Sequence, residues 1–439
     1  MKKCRITKAF FLTLSRESCI IKNKLFYFRY FVYFSYTFES AGSYMINRKM
    51  QSLGARRSSI RELFEYGKKR RAEVGNDNVF DFSLGNPSVP APYEVNNEIK
   101  RLIEEESSVS LHGYTSAEGD INVRKRIADY VNSTYGENIT PECIYMTVGA
   151  AAAITITLKA IATEGEEVIA IAPYFPEYRV FVENGGSRFV PVLCNDDFSL
   201  DIEAIRNAIN ENTAAIIINS PNNPSGAIYS EKSIKELASM LREMSERMGK
   251  AIYLISDEPY RELVYDDAFV PYVTKYYDNS IVCYSFSKSL SIPGERIGYI
   301  LLSPRLAEFK EVREAICGAG RSLGFVCAPS LLQKLVGECL GKTADISIYD
   351  KNRRLLLSAL TEYGYDAVKP EGAFYLFVKS PSGDGVEFSE RAKAMDILIV
   401  PSDDFGKPGY ARLSYCVETE MIERSLPKFK KLIEGYKND

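Results

Sequence analysis

The chain predicts an α/β fold: a large domain with a mostly parallel central sheet flanked by helices, plus a smaller α+β domain. Three observations carry this. From residue 146 to 302 short apolar runs alternate with amphipathic helical stretches, the mark of parallel β-α-β units. After Ala328-Pro329 the pattern changes to a long helical region followed by separated strands. The chain is also 439 residues long, too many for one ordinary core. The expected divisions are 1–44 as a leader outside the fold, 45–90 as a segment joining the smaller domain, 91–328 as the large domain and 329–439 as the smaller one.

Composition narrows the function. Apolar content of 46% and charged content of 26% describe an ordinary globular chain. A net charge of −3 offers no basic field for nucleic acid or anionic lipid, so neither nucleic acid nor membrane is expected as a partner. His112 is the single histidine, which argues against a histidine-bound metal; no metal is expected, and proton transfer falls to another group. His112 itself reads as a packing residue. The nine cysteines are odd in number, widely spaced and without a C-x-x-C pair. Several, like Cys283, sit in apolar runs and read as reduced thiols of a cytoplasmic protein.

The first 44 residues differ from the rest. Phe10-Phe11-Leu12 after Lys2-Lys3 suggests a signal peptide, but Arg16 and Glu17 interrupt it. The aromatic stretch 25–38 contains Arg29 and is too short to span a bilayer. Met45 and Met50 precede the first globular-looking sequence, so translation is expected to start at one of them. The other reading is a hydrophobic, partner-binding arm.

Residues 58–74 form a helical pattern with Ile60, Leu63, Phe64 and Tyr66 on one face. A short strand at 80–84 ends in Gly85-Asn86-Pro87, a turn where backbone can approach a ligand. Helices are predicted near 94–105 and 123–135. A strand at 146–148 runs into Gly149-Ala150-Ala151, where free N–H groups at a helix start suit an anion. A plain alanine-rich helix start reads equally well. The strand 167–172 delivers Pro173-Tyr174-Phe175, with Tyr178 just beyond. Strand 188–194 and helix 202–209 follow. Strand 214–219 ends in Asn219-Ser-Pro-Asn-Asn223-Pro-Ser-Gly226, and helix 233–248 leads to strand 251–256 and Asp257-Glu-Pro-Tyr260. Strand 280–284 enters a hydroxyl-rich loop, Ser285-Phe-Ser287-Lys288, with Arg296 eight residues past the lysine and a strand at 297–302. Hydroxyls and an arginine around a lysine suit a phosphate, and the lysine suits a carbonyl cofactor; an exposed loop lysine is the plain alternative. A long helical region at 331–363, strands at 371–377, 397–400 and 412–415, and an amphipathic helix complete the chain.

Four predicted strands thus end in Phe175, Asn223, Asp257 with Tyr260, and Ser285 with Lys288. Ligands of open α/β sheets bind beyond the carboxyl ends of the strands, so these residues are expected to converge. Singly, Asp257 could cap a helix, 222–226 is a good generic turn, and Arg412 could be an ordinary strand arginine.

Taken together, N-x-P-x-N-P-S-G at 219–226, D-E-P-Y at 257–260 and S-x-S-K…R-x-G-Y at 285–299 resemble the fold-type-I pyridoxal-phosphate (PLP) enzymes. The resemblance is specifically to class I/II aminotransferases of the aspartate aminotransferase kind. Y-x-x-x-x-G at 114–119, T-x-G-A at 147–150, and Gly406 followed by Arg412 extend it over about residues 46–436. It implies a PLP cofactor on a Lys288 Schiff base, Lys288 as general base, and Asp257 on the ring nitrogen. Tyr260 and Asn223 would bond the phenolic oxygen, with Phe175 stacked on the ring. Ser285, Ser287, Arg296 and the N–H groups of Ala150 and Ala151 would hold the phosphate. Tyr114 would reach the phosphate of a neighbouring subunit, which implies a homodimer with shared sites. Arg412 would clamp the substrate carboxylate beside Gly85 and Asn223. The implied reaction is ping-pong transfer of an amino group from an L-amino acid to a 2-oxo acid. Ala150–Ala153 offers no basic residue for a second carboxylate. A PLP-dependent β-lyase on the same scaffold, and a non-catalytic PLP-sensing regulator, are the other functions the resemblance leaves open.

Overall fold

Runs such as Val168-Ile-Ala-Ile171 and Ala214-Ala-Ile-Ile-Ile218 have no polar face, so as strands they need cover on both sides. The computed structural model, which describes residues 46–55 and 58–438, provides that cover. The predicted leader, 1–44, lies outside the described residues. The described part of one compact unit is the helix Arg48–Ala55; the other unit, from Ser58, carries everything that follows.

The strands are β1 (Phe80–Asp81), β2 (Ile144–Thr147), β3 (Glu167–Ala172), β4 (Arg188–Leu193), β5 (Thr213–Asn219), β6 (Tyr253–Asp257) and β7 (Ser280–Ser285). They continue as β8 (Gly298–Leu302), β9 (Ala367–Val368), β10 (Tyr375–Lys379), β11 (Ile397–Leu398), β12 (Val400–Pro401) and β13 (Tyr410–Ser414). Seven of them form one sheet in the order β2-β8-β7-β6-β5-β3-β4. Every pairing in it is parallel except those of β8, which runs antiparallel to β2 and β7. All residues of β2, β3, β5, β7 and β8 are buried, between one apolar cluster that includes Ile216 and Leu237 and another that includes Ile217 and Ile154.

The C-terminal strands form a four-stranded antiparallel sheet, β12-β13-β10-β9, with its own core around Phe374, Leu356 and Phe429. The N-terminal segment joins it there. β1 pairs parallel with β11, and Ser414 N–H donates to the Phe82 carbonyl at 2.8 Å. That pairing sets residues 83–85 beside Arg412 of β13.

Local departures from the sequence reading have simple causes. The 397–400 strand is two strands in different sheets, β11 and β12. The 331–363 helix is two, Ser330–Glu338 and Ser347–Tyr363, parted by Gly341 at φ +74°, a conformation that only glycine adopts easily. The hydroxyl-rich loop begins as a helical turn, Phe286–Ser289, because Ser285 caps it: its Oγ accepts from Ser287 N–H at 3.3 Å. Helices Glu177–Asn184, Phe309–Ser322 and Gly385–Ala394 were not foreseen.

Candidate active site

Because β7, β6, β5 and β3 are parallel neighbours, their carboxyl ends lie side by side. The polar residues that follow them meet in one cavity, with about 180 Å³ open to the centres of water-sized molecules.

Asp257 closes β6 and is 5% exposed. The Tyr178 hydroxyl donates to its Oδ2, while Oδ1 is buried without a partner. Burial pushes this carboxyl up to about 7, and the Tyr178 bond opposes the shift. Asn219, the last residue of β5, braces the site from beneath. Its Nδ2 donates to the Asp257 carbonyl at 2.8 Å and its Oδ1 accepts from Asn223 N–H at 2.7 Å.

Lys288 enters from the turn after β7. Its Nζ donates to the Gly85 carbonyl at 2.7 Å and lies 5.3 Å from the centre of the Phe374 ring. Burial pulls this amine down to about 8; Cys416 opposes the shift, and Arg296 and Arg412 add to it. A lysine so placed is a neutral nucleophile and base much closer to physiological pH than a solvated one.

At one end of the cavity the helix Ala150–Ile161 starts from Gly149 at φ +89°. A Cβ on Gly149 would stand 2.8 Å from an Arg296 guanidinium nitrogen, so glycine is what lets that cation sit against the helix start. Arg296 Nη1 donates to Ser287 Oγ at 3.3 Å, and Ser285 Oγ donates to Ser287 Oγ at 2.9 Å. Ala150 and Ala151 line the same end, in the first helical turn where backbone N–H groups have no intrahelical acceptor. Donors converging from an arginine, two serines and a helix start make an anion cradle.

Opposite, Arg412 of β13 is 2% exposed. Nη2 donates to the Ser83 carbonyl at 2.5 Å and Nη1 to Asn223 Oδ1 at 3.2 Å, while Nε is buried without a partner. Its guanidinium lies over the Tyr375 ring at 4.7 Å. The Tyr375 hydroxyl meets that of Tyr260 at 2.9 Å. A Cβ on Gly85 would fall 2.0 Å from the Tyr375 hydroxyl oxygen, so this position tolerates only glycine.

The cavity therefore brings together Ala150, Ala151, Phe175, Asn223, Asp257, Tyr260, Ser285, Ser287, Lys288 and Arg296, with Gly85 and Arg412 bonded to its members. Tyr114 is not brought in: it is 97% exposed. Tyr178 and Tyr375 went unflagged in the sequence. Tyr178 follows Phe175 by three residues in the same post-strand segment, which was the available signal. Tyr375 sits in the apolar run Phe374-Tyr-Leu-Phe377, where nothing separates it from core.

These features fit PLP: an orphaned carboxylate oxygen for a cationic ring nitrogen, an amine for an aldehyde, and an anion cradle for a phosphate. Among the described residues no group of histidine, cysteine and acidic side chains could hold a metal ion, and no helix is long and apolar enough to cross a membrane.

Comparison with known proteins agrees. The family model for aminotransferase class I and II matches residues 77–429, and the chain belongs to that family of PLP-dependent transaminases. It is 27% identical to an aspartate aminotransferase of Thermotoga maritima, over 89% of this chain and all of the relative. It is 30% identical to an aspartate/prephenate aminotransferase of Thermus thermophilus, over 80% of this chain and 90% of the relative. Among solved structures, an aminotransferase from Eubacterium rectale superposes with a TM-score of 0.88 at 53% identity, covering 89% of this chain and 99% of that one.

Proposed function

We propose that this transaminase moves an amino group from an L-amino acid to a 2-oxo acid by two half-reactions at Lys288. The observation that carries the reading is the buried, unpartnered Oδ1 of Asp257 in the cavity that also receives Lys288 and the Arg296 cradle. Bound PLP would supply the aldehyde and an electron-accepting ring. Lys288 Nζ would hold the cofactor's aldehyde and, once free, would take the substrate α-proton and return it. Asp257 would hold the ring nitrogen in its protonated form. Tyr260 and Asn223 would donate to the ring's phenolic oxygen, and Phe175 would cover the ring. Ser285, Ser287, Arg296 and the N–H groups of Ala150 and Ala151 would hold the phosphate. Arg412, with its free Nε, grips the α-carboxylate beside Gly85.

The substrate is an α-amino acid. The named relatives act on aspartate and, in one case, prephenate, but Ala150–Ala153 places no cation for a second carboxylate. The exposed ring of Tyr114 supports a homodimer in which it completes the partner's phosphate site. The two separate sheet cores, with Phe80, Phe82 and Val89 in the second, support a large PLP-binding domain at 91–328 and a smaller one in which 329–439 is joined by the segment leading to residue 90. The described cysteines are free thiols, which supports a cytoplasmic location.

The test is a visible absorption titration of the PLP-loaded protein with single amino acids and no 2-oxo acid. Conversion of the yellow band to the pyridoxamine band supports transamination, and the effective amino acids name the substrate class. Release of pyruvate from cysteine or cystathionine with the yellow band intact points to a β-lyase, and a spectrum that never moves points to a non-catalytic regulator.

A further inference from the structure

Tyr375 has no role in the scheme above, yet it touches three of its members. Its hydroxyl lies 2.9 Å from that of Tyr260, its ring carries the Arg412 guanidinium at 4.7 Å, and its hydroxyl fills the space that a Gly85 side chain would need. Gly85 in turn accepts the Lys288 ammonium at 2.7 Å. The residue is 3% exposed. We propose that Tyr375 is a positioning residue that joins the cofactor end of the site to the carboxylate end: its hydroxyl sets the Tyr260 donor, and its ring sets Arg412. This rests on the PLP-transaminase reading of the cavity.

The two contacts do separate jobs. Each tyrosine hydroxyl has one proton. Burial, the first cause in each case, keeps both tyrosines protonated, raising Tyr375 to about 12 and Tyr260 well above its usual value. If Tyr260 spends its proton on a ligand in the cavity, Tyr375 must be the donor within the pair. Donation to the Tyr260 oxygen polarises the Tyr260 O–H and makes it the better donor. The ring contact is independent of that proton. A guanidinium held over an aromatic face keeps its plane fixed, and here Nε is the nitrogen left free for a ligand. The arrangement also explains Gly85: any side chain there would dislodge the Tyr375 hydroxyl.

Tyr375→Phe removes the hydroxyl and keeps the ring; Tyr375→Leu removes both. Two quantities separate them in the PLP-loaded protein. One is the pH midpoint of the bound cofactor's visible band; the other is the dissociation constant of a non-reacting carboxylate, maleate or 3-phenylpropanoate, read from its effect on that band. Tyr375→Phe is expected to raise the midpoint by roughly half to one pH unit, the size of one hydrogen bond, and to leave carboxylate affinity within about twofold. Tyr375→Leu is expected to raise the midpoint similarly and to weaken carboxylate binding roughly three- to thirtyfold. A purely structural role would lower Tm in both variants and move neither quantity in Tyr375→Phe, and that result overturns the proposal. So does carboxylate affinity lost equally in both variants. Failure of the transaminase reading looks different: the unmutated protein would then show no titratable cofactor band at all.

Discussion

On the wall formed by the seven-stranded sheet, Asn219, Asp257 and Ser285 each close a strand, Asn223, Tyr260, Ser287 and Lys288 follow within four positions, and Arg296 comes just before β8. The opposite wall is assembled from Gly85, Tyr375 and Arg412, which meet only because β1 pairs with β11 and β13 with β10. The walls also differ in what they leave unpaired. The first presents a carboxylate oxygen and helix-start N–H groups, the second one nitrogen of a guanidinium whose other two are held by Ser83 and Asn223. The first wall therefore suits a cofactor that stays, and the second a carboxylate that comes and goes. Changes on the first should alter the cofactor's spectrum and chemistry; changes on the second should alter KM for amino acids.

Lys288→Ala should have the largest effect. On the proposed assignment it removes both the amine that would hold the aldehyde and the base that would move the α-proton, so kcat should fall by at least ~10⁴-fold. The yellow band should be lost or displaced. Normal turnover in this variant would break the assignment of chemistry to the first wall.

Asp257→Asn comes next and separates stability from function. A carboxyl raised from 3.8 to about 7 on folding gives stability that is complete below its unfolded value and is lost as pH rises through 7. The cofactor-free protein should therefore weaken between pH 4 and 7, this group contributing on the order of 4 kcal/mol. The neutral amide carries no such penalty. At pH 8 the cofactor-free variant should melt higher than the unmutated protein, while the loaded variant loses roughly 10²-fold or more in kcat. Calorimetry from pH 4 to 8 with and without PLP checks both halves. A lower Tm for the cofactor-free variant at pH 8 would show that Asp257 is not stored as a buried, unpaired charge.

Arg412→Lys tests the second wall. Lysine keeps the charge but loses the planar, multipoint geometry, so kcat/KM should drop roughly ten- to a hundredfold, mainly through KM. PLP affinity and the absorption band should stay as they are. A spectral change of the size seen for Asp257→Asn would erase the distinction between the walls.

How much of the site was legible follows the same division. The sheet wall could be read because its residues sit at strand ends, where apolar runs stop abruptly and polar residues begin, and a parallel sheet must align those ends. Lys288 and Asp257 were placed together by that argument alone. Gly85 was legible as a turn where backbone can approach a ligand, but its place beside Arg412, and Arg412 itself, were legible only through family resemblance, since β1–β11 pairing joins segments more than 300 residues apart and two-residue strands leave no periodicity. Tyr375 was not legible at all: an aromatic inside an apolar strand reads as core, and only its neighbours reveal a polar duty. The helix 309–322 was missed although Val312, Ile316 and Ala319 recur on its buried face. Cysteine and glycines within it weakened the helical signal.

Ser287→Ala should have the smallest effect and locates the edge of the first wall. Ser287 Oγ accepts from Ser285 Oγ and from Arg296 Nη1, so its own proton is free to donate into the cavity. Removing it would cost the proposed phosphate site one donor and Arg296 one acceptor, while Ser285, Arg296 and the helix start remain. A single such bond predicts PLP binding weaker by about three- to tenfold, with kcat of the saturated enzyme nearly unchanged. Equilibrium dialysis of PLP against the variant measures the first, and turnover at saturating PLP the second. If kcat falls and PLP affinity does not, Ser287 belongs with Lys288 and Asp257 in the chemistry, and the anion cradle ends at Ser285.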